Sequence, residues 1–428
     1  MQERLGSDYP AFLSSYQNPP CKGLRVNTLK IGVEEFLKIS PFSLEPIPWE
    51  ENAFYITEDK PGADVYHFAG LYYMQEPSAM CAVPMLEVKL NERVLDLCAA
   101  PGGKSTQLAA QMAGGGILVA NEIDYDRAKI LSQNIERLGL KNCVVTKASP
   151  ATLAEHFPAY FDKILVDAPC SGEGMFKKEP NAIPEWSEQN VTRCAERQRD
   201  ILDCAAKMLA GGGRMVYSTC TFAEEEDEWQ VRAFLERHPE FDLLAMKKLY
   251  PHEVKGEGHF AALLLKREGE RREKPVGLAV PRGRFHHADN DRALKEYRAF
   301  ADRFFETPPG GKVIVQGPRV WLVPHDMPEI DPGVLVRLRL GVELGEFDGR
   351  AFKPAHALAM ALGADAKRKV RLSREAAERY LHGDTLEADI PNGWCVVCVE
   401  EFPLGLAKAV NGTLKNHLPK GLRKVSGK

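Results

Sequence analysis

From about residue 93 the chain alternates short apolar runs with amphipathic stretches of helical length. "RVLDLCAA" (93–100) is an apolar strand that stops at "PGGKS", and a helix follows to about Met112, ended by glycines 114–116. "ILVANEID" (117–124) predicts a second strand. Asp124 is placed to cap the helix "YDRAKILSQNIERLGL", and Gly139 to close it. Further strands are expected at "CVVT" (143–146), "KILVDA" (163–168) and "RMVYST" (214–219), with a helix over about 188–210 ending at glycines 211–213. "EEEDEWQVRAFLERH" then opens with acids that suit a helix N-terminus. "FDLLAMK" and "GHFAALLLKR" predict two more strands. Apolar strands in strict alternation with helices predict an α/β protein with a doubly wound, Rossmann-like parallel sheet.

The pattern changes on both sides of this core, assigned to residues 71–267. Residues 1–70 form a separate mixed segment containing "GLRVNTLK". The charged, Pro- and Gly-containing "KREGERREKPVGLAVPRGR" (266–284) marks a linker, set at 268–290. A small β-rich module is expected over 291–350, from "GKVIVQGPRVWLVPHDM". A last domain, 351–428, holds "GWCVVCVEEFPLGLAKAVNGTLKNHL", with a strand pair turning at Pro403-Leu404-Gly405.

Composition narrows the class. With 44% hydrophobic and 27% charged residues the chain is an ordinary globular protein, and no apolar run approaches the roughly 20 residues of a membrane span. "MQERLGSDYP" lacks the charged-then-apolar layout of a signal peptide, so a cytoplasmic location is expected. Ten cysteines in such a chain are expected as free thiols. Cys395 and Cys398 form a C-x-x-C, but on a strand residues three apart point to opposite faces, so no metal site is expected. Net charge of −4 gives no global nucleic-acid signature. The segment Leu404–Lys428, however, carries six Lys or Arg and no acid, which suits either a solvated terminus or a phosphate-contacting surface.

In an open parallel sheet, ligands bind beyond the carboxyl ends of the strands. After the first strand comes "DLCAAPGGKS" (96–105), where Gly102 and Gly103 permit close approach to backbone and to a helix N-terminus. A phosphate-binding P-loop is excluded, because Cys98 stands where its first glycine is required, and G-x-G-x-x-G is absent here. S-adenosylmethionine remains: it asks for a small turn and an acid after the second strand, and Glu122 is that acid. Asp167 and Cys170 follow the fourth strand, and Thr219 and Cys220 follow the fifth, so both thiols are expected at one edge. A thiol is needed when the target atom is not itself nucleophilic. Attack of a thiolate at carbon 6 of a pyrimidine makes carbon 5 enamine-like and able to take a methyl.

At these residues the chain resembles the Sun-type family of RNA 5-methylcytosine methyltransferases. "DLCAAPGGKS", "DAPCSGEGMFKKEP" and "YSTCTF" match family motifs in order, as do "GLRVNTLK" and "YYMQEPSAM" before them. The closing "PLGLAKAVNGTLKNHLPKGLR" is similar to the end of the RsmF-type bacterial members, which act on 16S ribosomal RNA. The resemblance implies a methyltransferase core, an N-terminal RNA-binding extension and a C-terminal PUA-like RNA-binding module. It implies that Cys98, Ala99, Ala100, Pro101, Gly102, Gly103 and Lys104 line the S-adenosylmethionine site, with Glu122, Arg127, Ser149 and Asp167. Asp167 would also hydrogen-bond the cytosine, Cys220 would be the nucleophile, and Cys170 would assist release. Ala148-Ser149 stands where the family often has an acid near the adenine. Lys177 and Lys178, beside the active loop, are candidates for phosphate contact. RNA, expected to be 16S ribosomal RNA or the small subunit, is the implied partner of a monomeric, non-membrane enzyme. A transfer-RNA or 23S-directed enzyme, an RNA methyltransferase with another target atom and a non-catalytic ribosome-assembly factor are the alternatives.

Overall fold

The computed structural model describes residues 1–276, 288–327 and 336–424. Most of the expected linker and the last four residues of the basic tail therefore lie outside the described residues. The centre is an eight-stranded sheet. Five strands are parallel: β1 (Arg93–Asp96), β2 (Ile117–Asn121), β3 (Cys143–Lys147), β4 (Phe161–Asp167) and β5 (Leu209–Thr219). β6 (Phe241–Leu249) and β7 (His259–Lys266) add antiparallel beyond β5, and β8 (Val336–Leu340) pairs antiparallel with β3. The sheet is thus mixed at both edges rather than wholly parallel, with strand order 6-7-5-4-1-2-3-8. β8 comes from the stretch assigned to a separate β-rich module, so that stretch contributes one strand to the catalytic sheet.

The strands alternate strictly between two buried layers. Leu95, Val119 and Val144 face a layer that includes Leu153, Leu202 and Phe234, while their neighbours Val94, Leu118 and Val145 face Leu108, Leu131 and Ile135. These helical residues belong to α1 (Gly103–Gln111), α2 (Tyr125–Leu138), α3 (Pro150–His156), α4 (Glu188–Met208) and α5 (Glu228–Arg237). Burial on both faces explains why the middles of these strands run apolar at successive positions instead of every second one.

Caps fix where the helices start and stop. Asp124 accepts from the Arg127 amide at 2.8 Å, as its position predicts. Gly139 ends α2 at φ 74°, a left-handed conformation that penalises any side chain. A Cβ there would also lie 2.6 Å from the Met360 carbonyl oxygen, on the helix His356–Leu362. Gly139→Ala is therefore expected to lower stability by about 1–3 kcal/mol. An unchanged midpoint in urea unfolding would show that this contact between core and C-terminal region relaxes freely.

The flanking regions share a core of their own. A four-stranded antiparallel sheet from residues 22–75 includes Tyr72–Gln75, so the N-terminal segment extends past residue 70. Leu24 and Val26 of this sheet and the helical Phe36 and Tyr66 of the same segment pack with Tyr380, on the helix Arg374–His382, and with Cys395 and Val397 of the C-terminal sheet. Cys398 joins a different cluster, with Phe300, Phe304 and Val396. The two cysteines of the C-x-x-C thus serve separate apolar cores from one strand, Gly393–Val399. The hairpin that follows turns at Glu400, at φ 52°, and not at Pro403-Leu404-Gly405, which lie within the strand Phe402–Val410. Pro403 loses nothing there, because a register shift at Cys398 accommodates its missing N–H. Among the described residues, no helix is long and apolar enough to cross a membrane.

Candidate active site

Each chemical group sits where a central strand ends. The turn after β1 is held from below by α2: Arg127 donates to the Ala100 carbonyl at 2.9 Å and Asn134 to that of Pro101, also at 2.9 Å. Gly102 takes φ 113°, and α1 starts beyond it with no side-chain cap. The amides of its first turn are therefore open to a ligand. Glu122 is almost wholly buried, accepts from the Asp124 amide at 3.0 Å and pairs with Arg127 at 3.4 Å. Asp96 lies under the same turn and accepts from Ser105 at 2.6 Å. Burial, together with the nearby Asp167 and Glu122 charges, pushes its carboxyl up to about 7 despite the Ser105 bond. Burial likewise drives the Cys98 thiol well above its ordinary range, so it acts as a small neutral side chain.

Lys104, in the first turn of α1, and Asp167, at the end of β4, face each other with Nζ 2.9 Å from Oδ2. Asp167 Oδ1 accepts from Ser218 at 2.9 Å. Burial opposes its charge, but Lys104, His259 and the bonds from Lys104 and Ser218 outweigh this and hold the carboxyl below the usual range. The converse applies to Lys104. Burial would lower it, yet Asp167, with help from Cys220, raises it. This is a fixed pair of opposite charges at the sheet edge, and Lys104 is within electrostatic reach of the Cys220 sulfur.

Beyond the pair stand the two thiols. Cys170 Sγ and Cys220 Sγ are 3.2 Å apart, and the Cys220 amide donates to Cys170 Sγ at 3.4 Å. The hydrogen bond with Cys220, then burial, then nearby negative charge including Glu226 all raise Cys170 well above an ordinary thiol. Loop contacts lock the two together: Gly174 N–H donates to the Cys220 carbonyl at 2.8 Å, and Ser171 and Thr221 hydroxyls meet at 2.9 Å.

Two expected residues are engaged in contacts of their own. Ser149 spends its hydroxyl on capping α3, accepting from the Thr152 amide at 3.1 Å. Lys177 is turned inward to the buried Glu257 at 3.2 Å, which leaves only Lys178 of that pair exposed. Others were missed from sequence. Glu226 and Asp227, counted as decoration of a helix N-terminus, are fully buried: Asp227 accepts from Thr219 at 2.6 Å and pairs with Lys248 at 2.9 Å. The signal was an acidic run longer than one helix end requires. His259, fully buried with its Nε2 3.8 Å from Asp167, carried no local signal at all.

A glycine turn after β1, a buried acid after β2 and a reactive pair after β4 and β5 define an S-adenosylmethionine-dependent methyltransferase, and the open α1 amides and Glu122 fit that cofactor. Family models match in order along the chain: the N-terminal domain of 16S rRNA methyltransferase RsmF over 1–77, 16S rRNA methyltransferase RsmB/F over 83–265, the RsmF first C-terminal domain over 299–362 and the RsmF PUA domain over 367–424. Ribosomal RNA small subunit methyltransferase F of Serratia proteamaculans is 34% identical over 448 residues, covering 96% of this chain and 92% of that one. Its counterpart from Erwinia tasmaniensis is 32% identical, covering 99% and 95%. Among solved structures, a methyltransferase homolog protein from Pyrococcus horikoshii is 29% identical with TM-score 0.56, covering 61% of this chain and 91% of that one. NSun6 from the same organism, solved with SFG, shares the fold at 22% identity and TM-score 0.55, covering 61% and 95%. The chain belongs to the RsmF-like 16S rRNA methyltransferases of the Sun family.

Proposed function

We propose that this protein methylates carbon 5 of cytosine in 16S ribosomal RNA, in the bacterial cytoplasm, through a covalent bond between Cys220 and carbon 6. The pair of thiols 3.2 Å apart at the cofactor edge carries the reading, because a single methyl transfer to a nucleophilic atom needs neither. The target base must leave its stack to reach these loops.

Cys220, as thiolate, adds to carbon 6 and pushes electron density to carbon 5. Lys104, held charged by Asp167, is within electrostatic reach of that sulfur. Asp167, ionised and fixed by Ser218, is placed to accept from the cytosine amino edge. When bound, S-adenosylmethionine supplies a methyl group on a sulfonium sulfur, which the activated carbon 5 accepts. A base from solvent, water or hydroxide, then takes the proton from carbon 5, the electrons re-form the carbon 5–carbon 6 double bond, and Cys220 leaves as thiolate. A thiol held protonated is a hydrogen-bond donor rather than a nucleophile, and Cys170 is such a thiol beside the departing sulfur. The family resemblance gives attack to Cys220, and a raised Cys170 thiol 3.2 Å away suits assistance of its departure.

Bisulfite sequencing tests the reaction. Incubating 16S rRNA, free and in assembled small subunits, with the protein and S-adenosylmethionine should make at least one cytosine resistant to conversion. The same position should become convertible in rRNA from cells lacking the protein. No resistant cytosine in either substrate would sink the reading.

A further inference from the structure

Behind the two thiols lies a buried brace that the reaction itself does not use. Glu226 and Gln198 are both fully buried. Glu226 Oε2 accepts from the Ser171 amide at 3.0 Å and from Gln198 Nε2 at 2.8 Å. The same Gln198 nitrogen donates to the Pro169 carbonyl at 3.0 Å. Residues 169 and 171, on either side of Cys170, are therefore tied to one carboxylate. That carboxylate sits six positions after Cys220 in sequence, and its own backbone carbonyl is held by the Tyr217 hydroxyl of β5. Its other oxygen, Oε1, is buried without a partner, so the group is not spent on a salt bridge.

We propose that Glu226, acting with Gln198, is a positioning residue that sets the distance between the two sulfurs: it anchors the Cys170 loop to the strand end that carries Cys220. The consequence for release rests on the assignment of Cys170 to that step; the positioning itself does not.

Two measurements separate these claims. In the first, RNA is absent and the thiol pair is oxidised with diamide. Diamide takes two electrons and two protons from the pair to become its hydrazine, and one S–S bond replaces two S–H bonds. Closure of the Cys170–Cys220 disulfide, followed by peptide mass spectrometry, reports how well the sulfurs are juxtaposed. Glu226→Ala is expected to slow closure by roughly tenfold or more, since a displacement near 1 Å is enough for such a loss. Glu226→Gln keeps an oxygen to accept both donors and is expected to close at the wild-type rate or faster. Loss of the negative charge alone would favour the Cys170 thiolate and hasten closure, so the sign of the change distinguishes geometry from charge. Closure at the wild-type rate in Glu226→Ala, or equal slowing in Glu226→Gln, overturns the proposal. Should Glu226→Ala not fold, Gln198→Ala removes the Pro169 tether and its link to Glu226 while leaving the Ser171 amide bond, with slowing again expected and an unchanged rate equally fatal.

In the second, the variants are incubated with 16S rRNA and S-adenosylmethionine, and denaturant-stable protein–RNA complex is quantified. Glu226→Ala should accumulate complex as Cys170→Ala does, with S-adenosylmethionine affinity unchanged by calorimetry, whereas a general loss of structure would lower complex and affinity together. If Cys170→Ala accumulates complex while Glu226→Ala does not and closes its disulfide at the wild-type rate, the positioning claim fails and the release assignment stands. If neither does while diamide closure is slowed, the positioning stands and the release assignment fails.

Discussion

Cys220→Ala should abolish methylation and form no covalent complex with RNA, whereas Cys170→Ala should make the complex and fail to let it go. Removing a nucleophile that no neighbour can replace lowers turnover by on the order of 10⁴- to 10⁶-fold. Cys170 lies 3.2 Å from the missing sulfur, and in this variant burial and Glu226 still raise its thiol although the hydrogen bond with Cys220 is gone, so it is expected to be a poor replacement in the attack. In Cys170→Ala the adding sulfur is intact, Lys104 still lies beside it, and the departing thiolate lacks its donor. Labelled RNA carried on the protein through denaturing electrophoresis is the readout. A complex in Cys220→Ala and none in Cys170→Ala would exchange the two roles.

The strand ends were legible because apolar runs buried on both faces stop abruptly at polar turns. That pattern alone brought Cys98–Lys104, Glu122, Asp167, Cys170 and Cys220 to one edge. Assignment of attack to one thiol came from family resemblance, since spacing treats the two alike. Three features could not be read. β8 pairs with β3 across nearly two hundred residues, and no local signal tells an edge strand which sheet it will join. The turn at Glu400 is carried by a non-glycine residue in a left-handed conformation, so the eye goes to Pro403 and Gly405 instead. Glu226 and Asp227 look like every other acid ahead of a helix. Their burial follows from the Cys170 loop and Lys248 folding over them, which only tertiary structure supplies. Lys177 shows the reverse: a surface-looking lysine whose partner, Glu257, lies eighty residues on.

The Lys104–Asp167 pair should be required for activity and, separately, for stability. Asp167→Ala leaves an ammonium in a site where only a tenth of the lysine side chain reaches solvent. Stranding one member of a buried pair costs about 3–5 kcal/mol, and the lower end is expected here because a third of Asp167 is exposed. The pH dependence follows from the two shifts. Asp167 is depressed, so its contribution is present above the ordinary carboxyl pKa of about 3.9 and is lost as pH falls through its folded value. Lys104 is raised, so its contribution is complete below about 10.4 and is lost as pH rises through its folded value. The stability gap between wild type and Asp167→Ala should hence stay level from about pH 5 to 9 and narrow below about pH 4. Pairing Asp167→Leu with Lys104→Met removes both charges while keeping volume, and should recover most of the lost stability, because two apolar side chains replace a buried ion pair at little cost. Activity should not return. The paired substitution lacks both the cation within electrostatic reach of Cys220 and the acceptor proposed for the cytosine, so stability and methylation are expected to part company. Methylation restored along with the unfolding midpoint would mean that the charges serve the fold alone.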